Sequence, residues 1–111
     1  MTAELSWAEF EKVLMVVGTV THAEVFAEAR KPALKVWVDF GEYGIRKTSA
    51  QIAGIYAPAD ILGRQVVGVV NFPEKQIGPF RSQFLLTGFR TEAGVVLTSV
   101  ERPVPNGTRL G

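Results

Sequence analysis

The sequence predicts an all-β fold: a five-stranded barrel with a short N-terminal helix, a helix between strands three and four, and an added C-terminal strand and extension, all in one domain over residues 1–111. Three observations carry this. The stretch Val13 to Phe26 is rich in β-branched residues, too long for a flat strand, and holds Gly18 inside it, which reads as one strand bent at the glycine. Leu34, Val36, Val38 and Phe40 alternate with Lys35, Trp37 and Asp39, the period-two pattern of a strand with one face in a core. A single helix-compatible segment, Gln51 to Gly63, then separates these strands from three further apolar runs.

Taken in order, Ser6-Trp7-Ala8-Glu9 has the form of a capping box opening a helix from Trp7 to Lys12. Trp7, Phe10 and Leu14 stand three and four apart, so they form one apolar stripe that needs cover from the barrel end or from another chain. The bent first strand follows, then the alternating second. Gly41-Glu42-Tyr43-Gly44 supplies the turn into a third strand from Ile45 to Ala50, which makes strands two and three a hairpin. In the middle segment, Pro58 suits a helix start, Ile61 and Leu62 an apolar contact, and Gly63 a stop. Gln65 to Asn71, Gln83 to Phe89 and Val95 to Ser99 are strands four to six, each bounded by Gly, Pro or turn residues. Three strands, a helix and two strands is the connectivity of an oligonucleotide/oligosaccharide-binding (OB) barrel, with the sixth strand and the tail Arg102 to Gly111 as additions. A β-sandwich is the lesser alternative, because it calls for about seven evenly spaced strands and no central helix.

Composition fits a small globular domain. The 111 residues are 47% hydrophobic and 21% charged, with seven Phe and two Trp, so disorder is disfavoured. A core of this size is marginal and gains from a shared interface. The absence of cysteine removes disulfides and thiolate zinc sites and fits a reducing compartment. Met1 to Trp7 lacks the basic start and apolar run of a signal peptide, and no run of apolar residues is long enough to span a bilayer. A cytoplasmic protein without membrane insertion is expected. The net charge of +1 means that any attraction for nucleic acid must come from local clustering.

Catalytic chemistry finds no support. His22, the single histidine, sits in a predicted strand with Glu24 two residues on; it reads as a partly exposed strand residue, since a metal site needs three or four converging ligands. Nucleophile-elbow, zincin, P-loop and dinucleotide patterns are absent. The carboxylate pairs Glu9 and Glu11, and Asp39 and Glu42, read as solvated side chains before acid and base. No enzyme, cofactor or metal is expected.

The basic residues are more informative. Arg30 and Lys31 lie in the loop after strand one, Arg46 and Lys47 open strand three, and Lys75 and Arg81 flank the loop after strand four. On an OB barrel those places border the usual ligand face. Phe72, Phe80 and Phe84 lie near the last of these loops, where aromatics beside cations can stack bases or line a groove for an extended peptide. Barrel core is the plainer reading of Phe72 and Phe84, and a solvated face remains open for the paired charges.

From Val17 to Gly111 the chain resembles the CsaA family of export-related chaperones, themselves similar to the structure-specific tRNA-binding domains appended to methionyl-tRNA synthetases. The resemblance is carried by Glu24 to Pro32, Val38 to Gly41, Thr48 to Ile52, Val66 to Pro73 and Val104 to Gly107. It implies a homodimer joined through a broad apolar interface; independently, Trp7, Phe10 and the added C-terminal strand offer apolar surface that a lone small barrel struggles to hide. The resemblance further implies binding of unfolded or precursor polypeptides and work beside export machinery. The tRNA-binding relatives carry an Asn after strand four and a Ser eleven places later, matched here by Asn71 and Ser82; tRNA is therefore a second implied partner. Where those relatives have Gly-Met this chain has Phe84-Leu85, and their Ser-Gly after strand three is Ser49-Ala50.

Overall fold

The computed structural model describes residues 3–111. Helix α1 (Trp7–Glu11) opens on the expected capping box: the Glu9 N–H donates to Ser6 Oγ at 3.1 Å, and the Ser6 N–H donates to Glu9 Oε1 at 3.1 Å. Strand β1 (Met15–Val25) pairs in its first half with β4 (Gln65–Val69) and in its second with β2 (Leu34–Asp39), so one strand serves both sides of the barrel. The β1–β2 register shifts between Val20 and His22, which completes the bend. β2 pairs with β3 (Ile45–Ala50) across a 3₁₀ turn at Gly41–Tyr43, where Gly41 and Gly44 take φ of +63° and +83°, angles that glycine adopts without a Cβ clash. Helix α2 (Pro58–Ile61) is shorter than the segment that holds it.

The second half is more broken than the sequence suggests. Beyond β4 the chain forms a hairpin of β5 (Lys75–Ile77) and β6 (Phe80–Ser82), a short β7 (Leu85–Leu86) paired with β4, and a hairpin of β8 (Gly88–Thr91) and β9 (Gly94–Leu97), the last standing where the added sixth strand is expected. The expected strand 83–89 is thus split at Thr87, whose N–H and Oγ1 both donate to the Val67 carbonyl, at 3.0 and 2.8 Å. The hairpin at 75–82 was hidden by Pro73, Gly78 and Pro79, which read as loop.

The five-stranded antiparallel sheet runs β3-β2-β1-β4-β7 and closes nearly into a barrel of the OB type. Closure comes from β3 against residues 82–84. The Gln83 N–H donates to the Lys47 carbonyl at 2.8 Å, the Lys47 N–H donates to Gln83 Oε1 at 3.2 Å, and the Ser49 N–H donates to Ser82 Oγ at 3.0 Å. Inside lie Val16, Val20, Leu34, Val36, Val38, Ile61 and Val66, with Phe40 and Phe84 edge to face at 4.9 Å. Gly18 and Gly68 make room for those rings: a Cβ on Gly68 would lie 2.7 Å from Phe40 and 2.9 Å from Phe84.

The tail is a working part of the sheet. Val17 donates to Thr108, Gly107 to Val17 and Leu110 to Met15, so residues 107–110 cover the edge of β1 that β2 leaves bare. The Gln65 amide holds Val104 from both sides, donating to its carbonyl at 2.6 Å and accepting from its N–H at 3.0 Å. No helix among the described residues is long and apolar enough to cross a membrane.

Candidate functional site

β3 ends in the residues around which the surface is hollowed. Thr48 points inward, donating from Oγ1 to the Phe84 carbonyl at 2.7 Å, while Ser49 faces out. Ser49 and Gln51 line three contiguous hollows of about 490, 500 and 660 Å³. The loop between β1 and β2 forms one wall, with Phe26, Ala29, Arg30, Lys31 and Ala33 beside Ile77 of the β5–β6 hairpin. Phe72, Pro73 and Lys75 form a second wall, and Leu85, Thr87, Arg90 and Val95 a third. The result is one groove with Ser49 and Gln51 along its length and apolar side chains on its walls.

Of the residues that the sequence singles out, the groove brings together Arg30, Lys31, Phe72, Lys75, Ser82 and Phe84. Their roles differ. Phe72 is 54% exposed, whereas Phe84 is 5% exposed with its ring in the core, so it offers the groove only an edge. The Ser82 hydroxyl is engaged by Ser49. Arg30, Lys31 and Lys75 have no ion-pair partner among the described residues.

The other named residues lie elsewhere. Arg46 shares the inward register of Thr48; its guanidinium donates to the Tyr43 carbonyl at 3.1 Å and to the Val70 carbonyl, fastening one end of the barrel. Lys47 faces out with its ammonium 5.0 Å from the Phe80 ring, and Lys35 approaches the same ring at 5.3 Å. Phe80 itself is buried with Phe26 and Ala33 against Trp37 and Ile77, pinning the β5–β6 hairpin to the outside of the sheet. Arg81 pairs with Glu74 across that hairpin. Asn71 bridges α1 to the barrel: its Nδ2 donates to the Lys12 carbonyl at 2.6 Å, and its Oδ1 accepts from the Leu14 N–H at 3.0 Å. His22 lies 3.1 Å from Glu24 and edgewise to Trp37. Among the described residues no three metal-ligating side chains converge.

Sequence reasoning missed Arg90, which lines two of the three hollows. It missed it because residues 83–89 read as one strand, which left Arg90 in a turn. The available signal was the alternation of Arg90 with Phe89 beside Val95 and Val96, which marks a hairpin with two faces.

A separate apolar patch joins the chain's two ends. Leu5, Trp7, Phe10 and Leu110 surround a shallow hollow of about 350 Å³. Trp7 is 78% exposed, its ring 6.2 Å from that of Phe10. Arg109 ties the tail to α1 by donating to the Glu11 carbonyl at 2.6 Å. The barrel covers the stripe of α1 only in part: Leu14 packs against the core, whereas Trp7 stays exposed.

Comparison with known proteins agrees with this architecture. Residues 15–109 match the family model described as "Putative tRNA binding domain". The chain is 35% identical over 109 residues to methionine–tRNA ligase 1 of Bacillus anthracis, covering 96% of this chain and 16% of that enzyme. It therefore spans about a sixth of the curated relatives it matches. It superposes on the crystal structure of the chaperone CsaA from Bacillus anthracis str. Ames with a TM-score of 0.91 at 43% identity, covering 98% of this chain and 100% of the other. The CsaA chaperone protein from Picrophilus torridus gives the same TM-score at 33% identity, covering 97% and 100%.

Proposed function

The chain belongs to the family described as a putative tRNA binding domain, and from its likeness to CsaA chaperone structures over nearly all of both chains we propose that it is a homodimeric, cytoplasmic chaperone holding unfolded or precursor polypeptides for export. The groove beside β3 is the site. The observation that carries this reading is the exposed apolar lining, Phe72, Ile77 and Leu85, flanked by cations. An extended chain can lay alternate side chains into such a groove while the rim contacts its polar groups. The two subunits meet through Trp7, Phe10 and Leu110, which offer the exposed apolar surface that a small barrel leaves uncovered.

The test is suppression of aggregation of a thermally unfolding client by the purified protein, compared with Phe72→Ala and Leu85→Ala. Suppression by the parent and its loss in the variants supports the groove. Failure of the parent to suppress aggregation or to bind an array of unfolded peptides removes the reading.

A second reading, binding of folded tRNA, is favoured by the cations Arg30, Lys31, Lys75 and Arg90, which line the groove without an ion-pair partner among the described residues. Phosphate contacts release counterions, so affinity falls steeply as salt rises. Filter binding of total tRNA at two salt concentrations decides this: undetectable or salt-independent binding rejects it.

A further inference from the structure

The charges in the groove are not evenly spread. Its one carboxylate, Glu28, lies in the hollow beneath the loop between β1 and β2. The other two hollows hold cations without any carboxylate: Lys75 in one, Lys31 in the other, and Arg90 in both. Arg90 is thus the cation that joins them.

Its position follows from the β8–β9 register. Arg90 stands opposite Val95, and Val95 packs against the barrel core, so their common face turns toward the groove. Phe89 and Val96 form the other face and are exposed. Arg90 makes no side-chain hydrogen bond or ion pair within the described residues, unlike Arg46, Arg81, Arg102 and Arg109.

We infer that Arg90 is an RNA-phosphate contact, and that a nucleic-acid backbone runs from Lys75 past Arg90 and Leu85 to Lys31. The inference rests on the tRNA reading above and names a residue and a path for it. A line of cations free of carboxylates complements a repeating anion, which a polypeptide backbone does not present. Exposed Phe72 beside Lys75 adds an aromatic face on which a base can stack. Contacts of this kind position the ligand without reading its sequence.

Filter binding of total tRNA across a salt series, with the full chain, tests this in R90Q, R90K and R64Q. Arg64 lines a different hollow and serves as the control. One lost phosphate contact makes the plot of log affinity against log salt shallower by about 1. If the two lines meet at molar salt, R90Q binds about tenfold more weakly at tenth-molar salt. R90K, which keeps the charge, retains most of the slope, and R64Q matches the parent. A parent that binds tRNA steeply while R90Q keeps the same slope overturns the role of Arg90 and leaves the tRNA reading standing. A parent with no salt-dependent tRNA binding overturns both. Weakened binding of an unfolded peptide in R90Q with unchanged tRNA binding assigns the groove to polypeptide and also overturns the inference.

Discussion

The backbone N–H of Ser49 donates to the side chain of Ser82 at 3.0 Å, so a hydroxyl from the last residue of β6 occupies a place in the β3 ladder that a carbonyl would ordinarily fill. The barrel is closed there by side chains as much as by backbone. Ser82→Ala leaves a partly buried amide without its acceptor, which costs about 1 to 2 kcal/mol. Urea unfolding of this variant is expected to show a lower midpoint with an unchanged slope. An unaltered midpoint would mean that water replaces the hydroxyl and that closure does not depend on it.

Gly68 faces the aromatic pair across the barrel. An added Cβ would lie 2.7 Å from the Phe40 ring and 2.9 Å from Phe84, and both rings are buried in the core among branched side chains. Gly68→Ala is expected to destabilise the fold by about 1 to 3 kcal/mol, the usual range for overpacking. Thermal melting measures this directly; a variant as stable as the parent would show that the rings can shift without cost.

Much of this was legible in the sequence because the first half is regular. The alternation from Leu34 to Phe40, the β-branched run through Gly18 and the Ser6–Glu9 box each state a local structure that packing then keeps. The second half was legible only in outline. Elements of two to four residues, such as β7 and β6, are too short for periodicity to register. The site divides similarly. Loop cations Arg30, Lys31 and Lys75 reach the groove because loops surround the barrel end. The side chains of Arg46, Asn71 and Ser82 are engaged by backbone groups distant in sequence, which no local pattern reveals.

Arg46 and Lys47 are neighbours with opposite fates, and substitution should separate them. Arg46→Ala removes two charge-assisted bonds to the Tyr43 and Val70 carbonyls and is expected to cost about 2 kcal/mol of stability. Lys47→Ala removes one cation–π contact with Phe80 and should cost about 0.5 to 1 kcal/mol. Because Arg46 lies outside the groove, its loss is expected to leave the salt slope of tRNA binding unchanged once the variant is folded. A shallower slope in Arg46→Ala, measured well below its melting temperature, would instead place phosphate at the β3 start.

Phe72 and Phe84 offer the same kind of separation for apolar contacts. Phe84→Ala opens a cavity against Phe40 and should cost about 3 to 5 kcal/mol. Phe72 is more than half exposed, so Phe72→Ala should change stability by less than about 0.5 kcal/mol, yet weaken binding of an unfolded peptide or RNA. Parallel melting and binding curves check both expectations. Loss of stability without loss of binding in Phe72→Ala would remove it from the site.

The proposed dimer contact has a pH dependence that can be worked out from Glu9. Its carboxyl is held below the ordinary value of 4.5, first by the Ser6 backbone N–H and then by the Ser6 hydroxyl, both of which donate to it. A carboxyl whose pKa is lowered by folding supports the folded form above its unfolded pKa and loses that support as pH falls through the lower, folded value. α1 is therefore expected to be firmly capped at neutral pH and to fray in acid below 4.5. If Trp7 and Phe10 on α1 hold two subunits together, sedimentation should show dissociation increasing across that acid window, and Ser6→Ala should already weaken the dimer at neutral pH. Trp7→Asp should give monomer throughout while leaving the barrel's melting temperature nearly unchanged, since Trp7 is largely exposed in the single chain. A Trp7→Asp protein that sediments as a stable dimer would move the interface away from the terminal patch.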